Sequence, residues 1–132
     1  MVIPTDPGLL AILAELRPLE PIFHTSAFGL TQADRAHRIA PDYWETGASG
    51  RRYTRDFILN LNPTHFVDAK AAGWTTSEEA VQRLGPDTFL LTYTLKQEAR
   101  LTRRATIWRR APEGWQILYH QGTVVEAGDA AH

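Results

Sequence analysis

Three runs of alternating apolar residues in the last third of the chain, joined by two short turns, restrict the fold more than any other feature. Phe89, Leu91, Tyr93 and Leu95 alternate with Leu90, Thr92 and Thr94. Ala105 and Ile107 alternate with Arg104, Thr106 and Trp108, and Ile117 and Tyr119 alternate with Gln116, Leu118 and His120. Successive side chains on a strand point to opposite faces, so a period of two over three runs predicts a twisted antiparallel meander with one buried face. Curved and packed on helices, such a meander makes a cone with a pocket, and function is expected in that pocket.

The N-terminal half supplies the helices. Asp6 is a candidate N-cap, followed by Pro7 at the first helical position, where its missing N–H costs nothing. Leu9, Leu10, Leu13 and Leu16 then form one apolar stripe, and Pro18 and Pro21 end the helix. Thr31 and Asp34 resemble a capping box that opens a second helix through about Ile39, stopped by Pro41. Asp42 to Ser49 reads as a strand that turns at Gly50. Thr54 caps a third helix whose Phe57, Ile58 and Leu61 point inward before Asn62-Pro63. Between Thr76 and Leu84 local propensity favours a helix, with Glu78, Glu79, Ala80 and Gln82 as good helix formers. The turn at Gly85-Pro86-Asp87 before a strong strand favours a hairpin instead, and we assign this segment as a strand.

At 132 residues, a single domain over 1–132 buries roughly two thirds of its unfolded surface without staples. The absence of cysteine excludes a disulfide framework, a thiolate metal site and a thiol nucleophile. A net charge of −1 gives no long-range pull toward nucleic acid or an anionic membrane. No apolar run approaches the ~20 residues that span a bilayer. Met1 to Ala14 lacks a basic stretch and carries Asp6 and Pro7, unlike a secretory signal. The expectation is a cytoplasmic protein with no membrane partner.

The order of elements, helices first, then one strand, a helix and a four-strand meander, resembles the nuclear transport factor 2-like (cystatin-like) superfamily. The stretches that carry the likeness run from Glu20-Pro21-Ile22-Phe23-His24 through Pro41 to Arg51 and Leu84 to Tyr93. They end with Arg104-Ala105-Thr106-Ile107-Trp108 and Gly114 to Thr123. These look like its small bacterial members, the SnoaL-like and domain-of-unknown-function families. The resemblance implies an α+β fold: a cone-shaped curved antiparallel sheet packed against about three N-terminal helices, a cystatin-like α+β barrel. Members of that superfamily include a ketosteroid isomerase, polyketide cyclases and dehydratases, and non-catalytic ligand-binding or dimerisation modules. The likeness therefore implies a pocket but fixes no reaction.

Two residues are candidates for catalysis. Glu45 shares a strand face with Tyr43, Gly47 and Ser49, and burial in an apolar cone would raise its pKa toward a value useful for proton abstraction. In the resembling isomerases the catalytic carboxylate falls nearer Gly47, where this chain has no acid. The competing reading is a rim carboxylate paired with Arg51 or Arg52. His120 lies on the central meander strand, and a register across Pro112-Glu113-Gly114 would set it opposite Arg104, facing the same way as Thr106 and Trp108. It is either an acid or orienter in the pocket, or a member of a buried hydrogen-bond network. Gln121 has the opposite parity from His120 unless a bulge intervenes.

Candidate ligand-binding residues are Trp44, Tyr93, Arg104, Thr106, Trp108 and His24. Arg104 would act as a fork-shaped donor to an anionic or carbonyl-bearing ligand. The tryptophans have core or subunit-interface packing as their alternative. The five histidines show no paired spacing and no neighbouring carboxylate cluster, so neither a metal nor a cofactor is expected. The arginines from Arg100 to Arg110 split between two strand faces, which argues against a basic stripe for nucleic acid. The functional expectation is a small-molecule-binding pocket protein of the SnoaL-like kind, taking a small hydrophobic, carboxylate or carbonyl ligand without turnover. The alternative is a general acid–base enzyme of isomerase, cyclase, hydrolase or dehydratase type using Glu45 and His120. Apolar residues on both faces of the meander predict a homodimer that covers the outer face.

Overall fold

The alternating runs form the C-terminal strands of one sheet. The computed structural model of the chain describes residues 1–20, 31–61 and 71–126. Helix α1, Leu10–Leu16, is flanked by single 3-10 turns at Pro7–Leu9 and Arg17–Leu19. It is followed by α2 (Gln32–Arg38), β1 (Ile39–Thr46), β2 (Arg52–Thr54) and α3 (Arg55–Leu59). The meander is β3 (Thr75–Gly85), β4 (Thr88–Gln97), β5 (Arg100–Ala111) and β6 (Gly114–Val124). The six strands lie in the order β2-β1-β6-β5-β4-β3.

Local chemistry sets the helix starts. Asp6 accepts from the Gly8 N–H at 2.8 Å, Thr31 from Asp34 at 3.1 Å and Thr54 from Phe57 at 3.2 Å, each satisfying a first-turn donor. Helices this short are marginal alone, and packing holds them. Leu9, Ile12, Leu13, Leu16 and Leu19 are buried against Val81, Leu91, Leu95, Phe89, Trp108 and Ile117. Burying each such side chain contributes about 1.5–3 kcal/mol. Phe57 departs from the expected inward stripe: it is 51 % exposed and packs on Tyr53 with ring centroids 5.0 Å apart.

The segment assigned as a strand against its helical propensity is one. Val81 opposite Leu91 and Arg83 opposite Phe89 zip β3 to β4, and the buried pairing outweighs intrinsic preference. Glu78, with φ +57°, marks the irregularity between Ser77 and Ala80. β1 starts three residues before the expected Asp42, because Pro41 is accommodated inside it. The pairing of β1 with β6 breaks register between Ile39 and Trp44, where Pro41 has no N–H to give. Gly50, at φ +91°, turns the chain from β1 into β2.

Two features modify the expected antiparallel barrel. β1 pairs with β6 in parallel, so the sheet is mixed, and among the described residues β2 and β3 are its outermost strands, so it is open. Between Ile107 and Trp108 the β5–β6 register shifts: Ile107 faces Tyr119 but Trp108 faces Ile117, leaving Leu118 as an extra residue. This bulge puts Ile117 and His120, which strict alternation would separate, on the same buried face. No helix among the described residues is long and apolar enough to cross a membrane.

Candidate functional site

The inner face of the sheet carries polar side chains where a plain core would carry hydrocarbons. β5 contributes Thr102, Arg104, Thr106 and Trp108, β4 contributes Tyr93, β6 contributes His120 and β1 contributes Tyr43 and Glu45. Beneath them, at the end of the helical lead, lies Glu20, only 2 % exposed. The pairings Tyr93 with Arg104, Thr106 with His120 and Glu45 with His120 bring four strands to one place. His120 therefore stands opposite Thr106, and Gly122 takes the expected place opposite Arg104, because the turn pairs Ala111 with Gly114 and the bulge then adds one residue.

A directional hydrogen-bond chain runs through the cluster. Arg104 can only donate, so its contact of 3.4 Å from Nη1 to His120 Nε2 makes that nitrogen the acceptor. The imidazole proton is then on Nδ1 and is donated to Thr106 Oγ1 at 2.7 Å. Thr106 keeps its own hydroxyl proton to offer onward. Arg104 Nε also donates to Thr102 Oγ1 at 3.0 Å. Its guanidinium lies where a side chain at position 122 would be: a Cβ on Gly122 would sit 3.1 Å from Arg104 Cζ. A Cβ at 122 would make the guanidinium give by a few tenths of an ångström.

Burial controls the proton affinities. His120 is pushed down to about 3, first by loss of water and then by the Arg104 charge, so the ring is neutral. Glu45 is raised by burial, against the hydroxyl that Tyr43 donates at 2.6 Å and the attraction of Arg104. Tyr43 and Tyr93 are pushed far up by burial and neighbouring carboxylates. Arg104 is lowered, chiefly by burial. Glu20 rises from 4.5 to about 7: burial outweighs the nearby donors of Thr106, Trp108 and Tyr93 and the Arg104 charge. Those donors are close enough to favour the carboxylate but fall short of hydrogen-bond geometry. Among the described residues, both Glu20 oxygens, Tyr93 Oη and Trp108 Nε1 are buried without a hydrogen-bond partner. Such groups normally find one.

Of the candidate residues, Glu45, His120, Tyr93, Arg104, Thr106 and Trp108 meet on this face. Trp44 does not. It is 45 % exposed on the outer face, edge-on to Tyr119 at 4.7 Å and under Arg52 at 5.9 Å, because it alternates with Tyr43 and Glu45. His24 lies outside the described residues. Arg104 is a partly used fork: its Nε goes to Thr102 and one N–H of Nη1 to His120. Glu20 and Gly122 escaped the sequence reading. A lone acid in Leu19-Glu20-Pro21-Ile22-Phe23 and a glycine inside a strand were the available signals.

An open groove of about 540 Å³ among the described residues runs beside Thr92, Thr94, Gln121 and Thr123, with Tyr93 and Arg104 of the cluster also in its lining. Its Arg103 is held by Glu78 at 2.8 Å and Thr94 at 2.6 Å. A crevice of about 10 Å³, room for about one water, reaches Glu20 and Tyr93 beside the Arg17–Glu79 ion pair of 2.9 Å. No three His, Asp or Glu side chains among the described residues group to hold a metal ion.

This architecture is shared. A protein of unknown function from the DUF3225 family of Pectobacterium atrosepticum superposes with a TM-score of 0.66 at 16% identity, covering 96% of this chain and 100% of that one. A protein with a cystatin-like fold from Caulobacter vibrioides gives 0.66 at 18% identity, covering 96% and 95%. The fold is cystatin-like, of the nuclear transport factor 2-like kind. A nuclear transport factor 2-like protein of Rhodospirillum rubrum, described as of unknown function in nutrient uptake, gives 0.58 at 16% identity, covering 89% and 98%. At such identities the likeness establishes the fold alone. No family model and no curated protein matches the chain.

Proposed function

We propose that the inner face of this cystatin-like sheet is a small-molecule site, binding a ligand with an apolar body and one polar end. The observation that carries the reading is the convergence of buried polar atoms without a hydrogen-bond partner on Glu20, Tyr93 and Trp108, beside the Arg104–His120–Thr106 chain. A protein that needed only stability would have hydrocarbons there, since an unsatisfied buried polar group costs about 1–3 kcal/mol. Fragment screening by ¹H–¹⁵N NMR tests this. Ligands should move the Trp108 indole N–H saturably; a screen that leaves that resonance still removes the site.

A second reading, acid–base chemistry, is favoured by one observation: Glu20 is poised at about 7, where a carboxyl both gives and takes a proton. His120, held neutral to about 3, is a poor acid, and Glu45 is occupied by Tyr43. Proton transfer would therefore fall to Glu20 in place of that pair. Exchange of deuterium into the methyl group of acetophenone, faster than buffer and lost in Glu20→Ala, is the expected signature; a buffer rate removes this reading.

We also infer that the outer face pairs with a second copy of the chain. Trp44 is exposed there, and Leu90, Ile107 and Tyr119 are only half-buried on the same side.

A further inference from the structure

We propose, resting on the reading of the inner face as a ligand site, that this site receives a small carboxylate. In the free chain its place is taken by the chain's own Glu20, a tethered plug that the ligand displaces. The groups around Glu20 lead there. Tyr93 on β4 and Thr106 and Trp108 on β5 direct hydroxyl and indole donors at its carboxyl, and the Arg104 charge adds to them. Trp108 Nε1 can only donate, and Thr106, which accepts from His120, keeps its own proton to offer. Arg104 uses Nε on Thr102 and one N–H of Nη1 on His120, and its Nη2 is uncommitted among the described residues. An ionised carboxylate accepts on both oxygens and donates from neither, so it matches a set made of donors and a cation.

Glu20 fills that place badly. Among the described residues neither of its oxygens has a hydrogen-bond partner, and Tyr93 Oη and Trp108 Nε1 are left in the same state. The carboxyl hangs from the residue that closes the 3-10 turn Arg17–Leu19, so the backbone limits its reach, and it stands among the donors without meeting the geometry of any. Burial therefore outweighs them and lifts Glu20 to about 7. A carboxylate without that tether can settle onto the donors and supply the partners they lack. Turned out into water, Glu20 recovers the hydration that burial withholds. The exchange sets one carboxyl where another stood, so Arg104, Tyr43 and Glu45 on β1 and His120 behind Thr106 keep the same kind of neighbour. The void between Glu20 and Tyr93 holds about one water because the plug is in place. Withdrawing the carboxymethyl end of Glu20 vacates a space the size of acetate.

Acetate replaces the atoms that Glu20→Ala removes, so the test is titration of the full chain with sodium acetate at pH 6, read at the Trp108 indole N–H. Acetamide is the uncharged isostere, and sodium chloride at equal ionic strength is the control. Glu20→Ala should bind acetate saturably and at least about tenfold more tightly than wild type does, because wild type binds only from the fraction of molecules whose plug is out. The variant should also prefer acetate to acetamide. In wild type the same titration should carry the Glu20 side-chain ¹³C resonance from its acid to its ionised position in step with the indole, since the carboxyl released into water titrates near 4.5. Acetamide binding as tightly as acetate overturns the proposal, as does wild type binding as tightly as the variant, or an indole shift that chloride reproduces. Should Glu20→Ala fail to fold, wild type decides: an indole that saturates while Glu20 stays in its acid position, or no response to acetate at all, overturns the proposal. If another fragment moves the indole and acetate does not, the carboxylate receptor falls and the pocket stands; if no fragment moves it, the pocket falls as well.

Discussion

Replacing Glu20 by Gln should expose a rise of stability with pH that the wild type conceals over a defined window. Folding moves the Glu20 carboxyl from 4.5 to about 7. Between those values the folded chain holds a proton that the unfolded chain has released, so stability falls as pH rises through the window and is flat on either side. Each unit is worth about 1.4 kcal/mol, so the whole shift is about 3 kcal/mol. His120 acts in the opposite sense. Its folded value of about 3 lies below 6.5, so the unfolded chain binds the extra proton and stability rises with pH up to 6.5. Where the windows overlap, from 4.5 to 6.5, the two slopes cancel in the wild type. Glu20→Gln removes one of them. Urea unfolding at half-unit pH steps should show the variant gaining on wild type by about 3 kcal/mol from pH 4.5 to 7, with a plateau beyond. A difference that does not change with pH would refute the argument, since it would mean that the carboxyl is solvated or paired and titrates as in a free peptide.

Other perturbations probe the same cluster. Gly122→Ala places a Cβ 3.1 Å from Arg104 Cζ and should destabilise by about 1–3 kcal/mol in a thermal melt, with part of the loss recovered in Gly122→Ala combined with Arg104→Met. Arg104→Met alone should leave His120 Nε2 unpaired at a cost of about 1–3 kcal/mol, and remove the charge that holds the imidazole down, so that its titration by NMR moves upward. Tyr43→Phe takes away the hydroxyl that favours ionised Glu45 and should raise that carboxyl further, read from its ¹³C side-chain shift. Light scattering at micromolar concentration should give the mass of two chains, and Trp44→Asp should shift it toward one; a monomeric wild type would overturn the pairing of outer faces.

Much of the scaffold was readable because its causes are local. Thr31, Thr54 and Asp6 cap their own next residues, and the alternation of Phe89, Leu91, Tyr93 and Leu95 fixes the β4 faces by geometry alone. The inward set of Arg104, Thr106 and Trp108 followed from the same parity. The reading failed where a distant partner decides. Phe57 is large and apolar yet exposed, packed on Tyr53, whereas Trp44 is outside by the same local parity that turns Tyr43 and Glu45 inward. The bulge at Leu118, which turns His120 inward beside Ile117, has only the unbroken apolar run Ile117-Leu118-Tyr119 as its signature, and that run does not say which residue is the extra one.

The sequence by itself determined the order of helices and strands, their caps and turns, and the two-faced meander, since each depends on residues within a few positions of one another. Only the tertiary structure decided that Glu20, distant in the chain from the strands, is sealed beneath them among the unpartnered donors of Tyr93 and Trp108. Its proton affinity follows from that sealing. The free energy of an ion depends on the water removed from around it, and which water is removed is settled by how the chain closes on itself.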